Sequence, residues 1–236
     1  MRPGVLVTRP IADSQGLAEA LQASGFEPMV EPMLAIHYRD ETPPPRHYQG
    51  VLITSANGAR ALARLVDWRD PPVWAVGDAS AREARDLGFI TVESASGDVA
   101  ALAALVAERA DPAGPPLLHV AASRLAGDLG GALAARGFAV EKAVLYDAEP
   151  AEDFSPDFLA ALEEGRLSAA LFFSPRTAAT FVRLAQKRAL GESLRHIRAL
   201  ALSPAVAEAL SPLAWGGVAV AKRPDQAALL ALLNGE

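Results

Sequence analysis

Short apolar runs, each followed by a stretch with helical periodicity, recur along the whole chain. Runs rich in valine, isoleucine, leucine, alanine or phenylalanine occur at 5–8, 50–54, 73–77, 90–93, 117–121, 169–173, 199–202 and 218–221. A strand followed by a helix, repeated many times, is typical of α/β proteins with largely parallel sheets. Because the runs contain few polar residues, we expect helices to cover the strands on both faces. The sequence therefore predicts an α/β fold.

The chain also repeats itself. The segment SGDVAALAAL at 96–105 returns as RPDQAALLAL at 223–232, LITSANGA at 52–59 as LFFSPRTA at 171–178, and AVGDASAREA at 75–84 as LALSPAVAEA at 200–209. A second pair, LQASGF at 21–26 and LAARGF at 133–138, places a glycine where it would end a helix, before an aromatic residue that opens the next strand. We interpret these matches as an internal duplication in which two kinds of module alternate.

The alternating modules allow two domain arrangements. A chain of 236 residues is long enough for two small domains, formed either by consecutive modules or by outer modules that enclose the inner two. Two polar segments, at 38–45 and 146–150, favour the second arrangement because they would remain extended and pair as a linker. We therefore predict an outer domain of residues 1–37 with 149–236, and an inserted domain of residues 38–148.

Composition excludes several classes of function. Acidic residues outnumber basic ones by 28 to 22, which disfavours a nucleic-acid surface, and the lack of cysteine excludes disulfides and thiolate chemistry. The four histidines show no metal-ligand spacing, so we expect no metal site. No nucleotide-binding or hydrolase motif is present. The apolar run at the start is too short for a signal peptide and no run suits a membrane span, so we expect a cytoplasmic protein that does not bind membranes.

Polar residues follow the predicted strands where each helix would begin. In a parallel sheet these junctions share one edge, and the unpaired N–H groups of each first helical turn carry about half a positive charge. The residues could simply cap helices, but arginines beside the caps favour a ligand with several carboxylates, which arginine can hold bidentately. The candidate binding residues are Arg9, Thr54, Ser55, Asn57, Gly77, Ser80, Arg124, Ser174, Arg176 and Ser203.

With these junctions the chain resembles the uroporphyrinogen-III synthase family of tetrapyrrole biosynthesis. The resemblance rests on VLVTRP at 5–10, TSANGARAL at 54–62, VGDASAREARDLGF at 76–89, AARGFAVEKAVLYDAEP at 134–150, FFSPRTAATF at 172–181 and DQAALLALL at 225–233. It implies two flavodoxin-like parallel-sheet domains, one inserted in the other, with a two-stranded linker and the substrate in the cleft between them. It also implies a cofactor-free, monomeric enzyme that makes transient contact with the preceding enzyme of the pathway.

The resemblance further implies the reaction. The family's substrate is hydroxymethylbilane, a linear tetrapyrrole with eight carboxylates, which closes with loss of water and inversion of the last pyrrole to give uroporphyrinogen III. The family's linker tyrosine, a candidate general acid, corresponds to Tyr146. The sequence departs from the family's pattern at two places, near Arg124 and after Ser203. Ala121-Ala122 stands where many members have Arg-Gly, which bears on Arg124, and Ala205 stands after Ser203-Pro204 where hydroxyl residues are frequent.

Two alternatives remain at the level of sequence. A non-catalytic, hinged two-domain protein that binds anions would also have two α/β domains and crossing linkers. A regulatory module of flavodoxin-like fold would instead have a single deep pocket at the switch point of its sheet. Neither alternative accounts equally well for arginines and serines at the junctions of both halves.

Overall fold

The structure is a computed structural model that describes residues 2–44, 47–124 and 127–235. Two compact units divide the chain: Met1–Ala35 with Glu149–Glu236 form the first, and Ile36–Ala148 form the second. Each unit is an α/β structure built on its own parallel-dominated sheet.

The elements follow one another in the predicted alternation of strand and helix. The strands are β1 (Gly4–Val7), β2 (Glu27–Val30), β3 (Leu34–Tyr38), β4 (Gly50–Ile53), β5 (Val73–Ala75), β6 (Val92–Ser94), β7 (Leu117–Ala122), β8 (Val140–Pro150), β9 (Leu167–Phe172), β10 (Arg198–Ala201) and β11 (Gly217–Val220). The α-helices are α1 (Ile11–Ala23), α2 (Ala56–Leu65), α3 (Asp78–Asp86), α4 (Val99–Arg109), α5 (Leu129–Ala134), α6 (Pro156–Glu163), α7 (Pro175–Lys187), α8 (Pro204–Leu210) and α9 (Gln226–Ala231). All eight apolar runs contain strands, with ends that shift by one or two residues.

The two sheets have the same strand order once the repeat is taken into account. The sheet of the first unit runs β11-β10-β9-β1-β2, and that of the second runs β6-β5-β4-β7-β8 with β3 added beyond β8. The strands that the sequence repeat pairs, β9 to β11 with β4 to β6, occupy equivalent places in the two sheets. The topology thus supports an internal duplication.

Helices cover both faces of each sheet. In the first unit Phe158, Phe172 and Phe181 pack together on one face, where the rings of Phe172 and Phe181 meet edge to face at 5.3 Å, while Leu17 and Leu229 lie on the other face. The second unit likewise has two apolar layers, one on each face of its sheet. Burial on both faces explains why inner strands such as β1, β4 and β5 are continuously apolar.

Glycine ends two equivalent helices, as the sequence predicts. Gly25 after α1 and Gly137 after α5 have φ of +88° and +85°, a conformation that favours glycine because it has no Cβ. The next residue bonds back in both cases, since Phe26 N–H donates to Leu21 O at 3.0 Å and Phe138 N–H to Leu133 O at 3.2 Å. Each hydrogen bond closes a Schellman turn and directs the aromatic ring towards the core.

The paired segment near the linker begins earlier than expected. Strand β3 pairs with β8, whereas the described part of the predicted segment beyond Tyr38, residues 39–44, forms no strand, and Pro45 lies outside the described residues. Arg39 N–H donates to Leu145 O, and Ala151 N–H donates to Met33 O. Residue numbers rise along one strand as they fall along the other, so the pair is antiparallel. The prolines at 43 and 44 have no N–H to donate, so they could not extend the ladder as donors.

Candidate active site

The carboxyl ends of the parallel strands in the second unit meet at one edge of its sheet, where α2 and α3 begin. Ser55 follows β4 and caps α2, because its Oγ accepts from Gly58 N–H at 3.2 Å. Gly77 caps α3 without a side chain, and the space that a Cβ would occupy there is open. Ser80 lies in the first turn of α3 and is buried. Thr54 precedes Ser55 at the same edge and is partly buried.

A bulge in β8 sets the direction of Tyr146. Ala121 of β7 pairs with Val144, but the next residue, Ala122, pairs with Tyr146, so β8 contains one extra residue, Leu145. Side chains alternate between the faces of a strand, and one extra residue reverses the alternation beyond it. Tyr146 therefore lies on the face covered by α2, in the same apolar layer as Ala122 and Leu145.

Tyr146 reaches Ser55 across this face. The distance from Tyr146 Oη to Ser55 Oγ is 2.7 Å, a short hydrogen bond in which either hydroxyl can donate. Tyr146 is 5% exposed, so its ring is packed in the apolar layer while its hydroxyl lies at the carboxyl edge of the sheet. Of the residues predicted from sequence, these two are brought into direct contact.

Asp147, the residue after Tyr146, forms an ion pair that the sequence analysis missed. Arg39 donates to Asp147 through Nε at 2.8 Å and Nη2 at 3.0 Å, and this bidentate pair joins β3 to β8. The hydrogen bonds from Arg39 and from the Ser123 side chain lower the pKa of Asp147 to about 2. Ser123 N–H also donates to Tyr146 O at 3.1 Å. The segments that follow β3 and β7 are thus both hydrogen-bonded to β8 at or next to Tyr146.

Asn57 has a structural partner. Its side-chain oxygen accepts from Arg60 Nη1 at 3.1 Å, and Arg60 also binds Glu83 of α3 through Nε at 2.8 Å and Nη2 at 2.6 Å. Arg60 and Glu83 lie on neighbouring helices, so the three side chains brace the first turn of α2 against α3. The sequence analysis missed Arg60, although an arginine three residues after Asn57 lies on the same helix face.

Arg124 lies at a junction that differs from the others. It is exposed and follows β7, but α5 begins only at Leu129, where Asp128 accepts from Gly131 N–H at 2.8 Å. The expectation that a helix begins beside Arg124 is therefore wrong. The sequence contained the correct signal, since an aspartate two residues before Gly130-Gly131 is a good helix cap.

In the first unit, Ser174 and Arg176 lie at the start of α7, at the carboxyl edge of the sheet. Ser174 Oγ accepts from Thr177 N–H at 3.2 Å and lies 3.1 Å from Thr177 Oγ1. Pro175 occupies the first helical position, where no N–H is needed. Arg176 is partly buried in the first turn. Ser203 occupies the corresponding position before α8, but its side chain makes no capping hydrogen bond.

Arg9 is held in place at the same edge of the first unit. Its guanidinium lies 4.6 Å above the centre of the Phe173 ring, and Nη1 lies 3.4 Å from the side-chain oxygen of Gln226 at the start of α9. Asp13 is a weaker neighbour, with its carboxylate 3.9 Å from Arg9. The stacking residue Phe173 was not singled out from sequence. An aromatic at the end of β9, beside the end of β1, was the available signal.

Neither a metal centre nor a membrane helix is found in the described residues. Among residues 2–44, 47–124 and 127–235, no group of three histidine, aspartate or glutamate side chains could hold a metal ion. In the same part of the chain, every helix is too short or too polar to span a bilayer. The candidate groups at the two sheet edges are hydroxyls, backbone amides, guanidinium groups and the Tyr146 phenol.

The fold defines an α/β protein with two units of duplicated topology. A sequence model of the family described as "Uroporphyrinogen-III synthase HemD" matches residues 15–231. The chain therefore belongs to the uroporphyrinogen-III synthase family, which makes it an enzyme of tetrapyrrole biosynthesis. No curated protein matches the chain by sequence.

Solved structures that share the fold include two uroporphyrinogen III synthases. One is a uroporphyrinogen-III synthetase from Helicobacter pylori, with a TM-score of 0.64 and 15% sequence identity over 100% of this chain and 99% of that one. The other is a mutant uroporphyrinogen III synthase from the extremely thermophilic bacterium Thermus thermophilus, with a TM-score of 0.57 and 21% identity over 99% of this chain and 96% of that one. Nearly full coverage on both sides shows that the two-sheet architecture is common to all three.

Proposed function

We propose that this protein closes hydroxymethylbilane to uroporphyrinogen III, as a hydro-lyase that removes water and inverts the last pyrrole ring. Membership of the family supports the reaction. The observation that carries its chemistry is the phenol of Tyr146, buried in the apolar layer of the second unit and hydrogen-bonded at 2.7 Å to Ser55 at the carboxyl edge of the sheet.

The reaction needs a proton donor more than a nucleophile. The electron-rich pyrrole next to the terminal hydroxymethyl group expels the hydroxyl, and a proton on the departing oxygen makes water the leaving group. An uncharged phenol can supply that proton at neutral pH. We assign this role to Tyr146. The resulting azafulvene cation would close spontaneously on the wrong carbon, so the second task is to orient the last ring for attack through a spiro intermediate.

Groups at the carboxyl edges would bind the carboxylates of the substrate. Helices α2, α3, α7 and α8 begin at these edges, and their first N–H groups attract anions through the helix dipole. Arg9 and Arg176 add positive charge in the first unit, and Arg124 in the second. We propose as binding residues Arg9, Thr54, Ser55, Asn57, Gly77, Ser80, Arg124, Ser174, Arg176 and Ser203. Backbone amides and capped hydroxyls are pre-organised, so they fix a conformer with little loss of side-chain entropy.

Turnover separates this proposal from a non-catalytic anion-binding protein. Hydroxymethylbilane is supplied in a thousandfold excess over the protein, and its loss is followed against a protein-free control. The proposal predicts consumption faster than in the control, with the excess rate proportional to protein concentration and many equivalents consumed per protein. An excess over the control of no more than one equivalent would favour the binding protein. We further propose a cytoplasmic monomer that meets the preceding enzyme transiently, which sedimentation with and without that enzyme would test.

A further inference from the structure

The hydroxyl of Ser55 has two neighbours and a limited number of hydrogen-bond positions. A serine oxygen offers one hydrogen and two lone pairs. Gly58 N–H occupies one lone pair at 3.2 Å, and Tyr146 Oη lies 2.7 Å away. If Tyr146 donated to Ser55, its hydrogen would be engaged there. If Ser55 donates, the phenol keeps its own hydrogen for transfer.

We propose that Ser55 is a positioning residue that donates its hydroxyl hydrogen to Tyr146 Oη and acts on the reaction through the phenol. This inference rests on the proposed function and revises the role of Ser55 from a substrate contact to a partner of Tyr146. The hydrogen bonds then run in one direction, from Gly58 N–H to Ser55 Oγ and from Ser55 to Tyr146. Such chains strengthen each member because every donor is polarised by the bond it accepts.

The arrangement stabilises the charge that proton transfer creates. The C–O bond of the substrate breaks with its electron pair on oxygen, the phenol proton completes the water molecule, and a phenolate remains on Tyr146. The Ser55 hydrogen and the positive end of the ten-residue helix α2 both face that charge. The phenolate later takes back the proton that the closing ring carbon releases. No other reactant is needed, and both Tyr146 and Ser55 return to their starting protonation states.

The bulge at Leu145 is what makes this contact available. Without the extra residue in β8, alternation would place Tyr146 on the face opposite α2, away from Ser55. Bulges often occur beside active sites, where they redirect a side chain. Here the redirected side chain is the proposed proton donor.

The duplicated unit shows that helix capping alone does not require such a contact. Ser174 is the equivalent of Ser55, and it caps α7 with the same geometry, accepting from Thr177 N–H at 3.2 Å. Its other hydroxyl neighbour is Thr177 Oγ1, in the first turn of the same helix. Of these two equivalent serines, Ser55 is the one that reaches a tyrosine from another element, so the contact is specific to the second unit.

The test is a double-mutant cycle on kcat and KM with hydroxymethylbilane. Tyr146→Phe should lower kcat by roughly 10²-fold, the usual contribution of a general acid, and Ser55→Ala by roughly tenfold, both with KM nearly unchanged. The double variant should match Tyr146→Phe within about twofold, because Ser55 acts only through the phenol. Ser55→Thr keeps a hydroxyl and a cap and should recover most of the rate.

Two further variants separate this role from helix capping. Asp98→Ala removes the cap of α4 in the same unit, where Asp98 accepts from Ala100 and Ala101 N–H, and should lower the melting temperature while leaving kcat unchanged. Ser55→Gly keeps a residue that is well tolerated at a helix cap, adds no charge and has no hydroxyl, so it should fold and still lose kcat.

Each failure has a distinct meaning. Additive losses in the cycle, or a rise in KM with kcat preserved in Ser55→Ala, would overturn the positioning role and leave Tyr146 as the acid. An unchanged rate in Tyr146→Phe would overturn the acid and the positioning role together. Absence of turnover in the unmodified protein would overturn the proposed function itself.

Discussion

Asp147 accepts two hydrogen bonds from the guanidinium of Arg39, one from Nε at 2.8 Å and one from Nη2 at 3.0 Å. The pair ties the antiparallel strand β3 to β8 one residue beyond Tyr146. Since the bidentate geometry fixes both side chains, it limits how far β8 can shift against β3. We therefore expect the carboxylate of Asp147 to help hold the phenol in the direction that the bulge in β8 gives it.

This pair predicts a loss of stability in acid. Hydrogen bonds from Arg39 and Ser123 lower the pKa of Asp147 to about 2 from its ordinary 3.8. The folded state therefore binds this proton less readily than the unfolded chain. The contribution is fully present above about pH 5 and is lost as the pH falls through 3.8 towards 2. In thermal melts between about pH 5 and about pH 2.5, Asp147→Asn should show a shallower fall in melting temperature than the parent protein.

Asp153 provides the matched control for Asp147. Arg188 holds it in the first unit, and the pKa of Asp153 is likewise lowered to about 2. Asp153→Asn should flatten the acid profile in the same way but leave kcat unchanged, whereas Asp147→Asn should also lower kcat. Equal kcat values in the two variants would contradict the link between Asp147 and Tyr146.

A negative charge at the cap of α7 should weaken substrate binding. Ser174→Asp retains a capping oxygen but places a carboxylate at the edge where substrate carboxylates are proposed to bind. KM should rise while the melting temperature stays unchanged. Ser193→Asp makes the same change at an exposed site before β10, at the opposite edge of the same sheet, and should leave KM unchanged. A KM that is equal in both variants would place Ser174 outside the binding surface.

Removal of the ring under Arg9 should also raise KM. The guanidinium stacks 4.6 Å from the Phe173 ring, and such a contact contributes about 0.5–1 kcal/mol, equivalent to about a two- to fivefold change in an equilibrium constant. Phe173→Leu should therefore raise KM by about that factor, with kcat nearly constant. Tyr38→Leu is the control and should leave KM unchanged. Tyr38 stacks with Arg64 in the last turn of α2, at the end of that helix that is remote from the carboxyl edge of the sheet. An equal rise in both variants would point to a general loss of stability.

His119 should make the stability of the protein depend on pH in a second, less acidic range. It is buried in β7, and its Nε2 has no hydrogen-bond partner among the described residues. Burial, and to a smaller extent the charge of Lys142, lowers the pKa of His119 to about 4. The unfolded chain takes up this proton below about pH 6.5 and the folded chain only near pH 4, so stability falls across that interval, by roughly 3 kcal/mol in total.

The variant His119→Leu should remove this pH dependence. At about pH 7 it should be as stable as the parent or more stable by about 1 kcal/mol, because it removes an unsatisfied buried nitrogen. Urea unfolding at about pH 7, 5.5 and 4.5 measures both effects. The same slope of stability against pH in both proteins would show that His119 is hydrated or paired in the folded state.

Local patterns in the sequence were sufficient for most of the fold. Apolar runs located all eight predicted strands, and the Gly-Phe pairs at 25–26 and 137–138 located two helix ends, because each signal depends only on adjacent residues. The repeat predicted an internal duplication, and the strand order of the two sheets supports it. The division into domains was argued from the same repeat.

Features that depend on register were not predictable. The direction of Tyr146 is set by one extra residue in β8 relative to β7, and the sequence of either strand alone does not show where the other has an extra residue. The pairing of Arg39 with Asp147 depends on the same alignment of distant segments. The delayed start of α5 was missed for another reason, since the strand pattern drew attention to Arg124 rather than to the capping signal at Asp128.

The identity of the ring isomer tests the whole account most directly. Purified protein is incubated with hydroxymethylbilane, the products are oxidised, and the type I and type III porphyrins are separated by chromatography beside a protein-free control. Spontaneous closure gives type I, so we predict that type III forms at a rate proportional to the protein concentration. A product that is type I only, formed no faster than in the control, would contradict it.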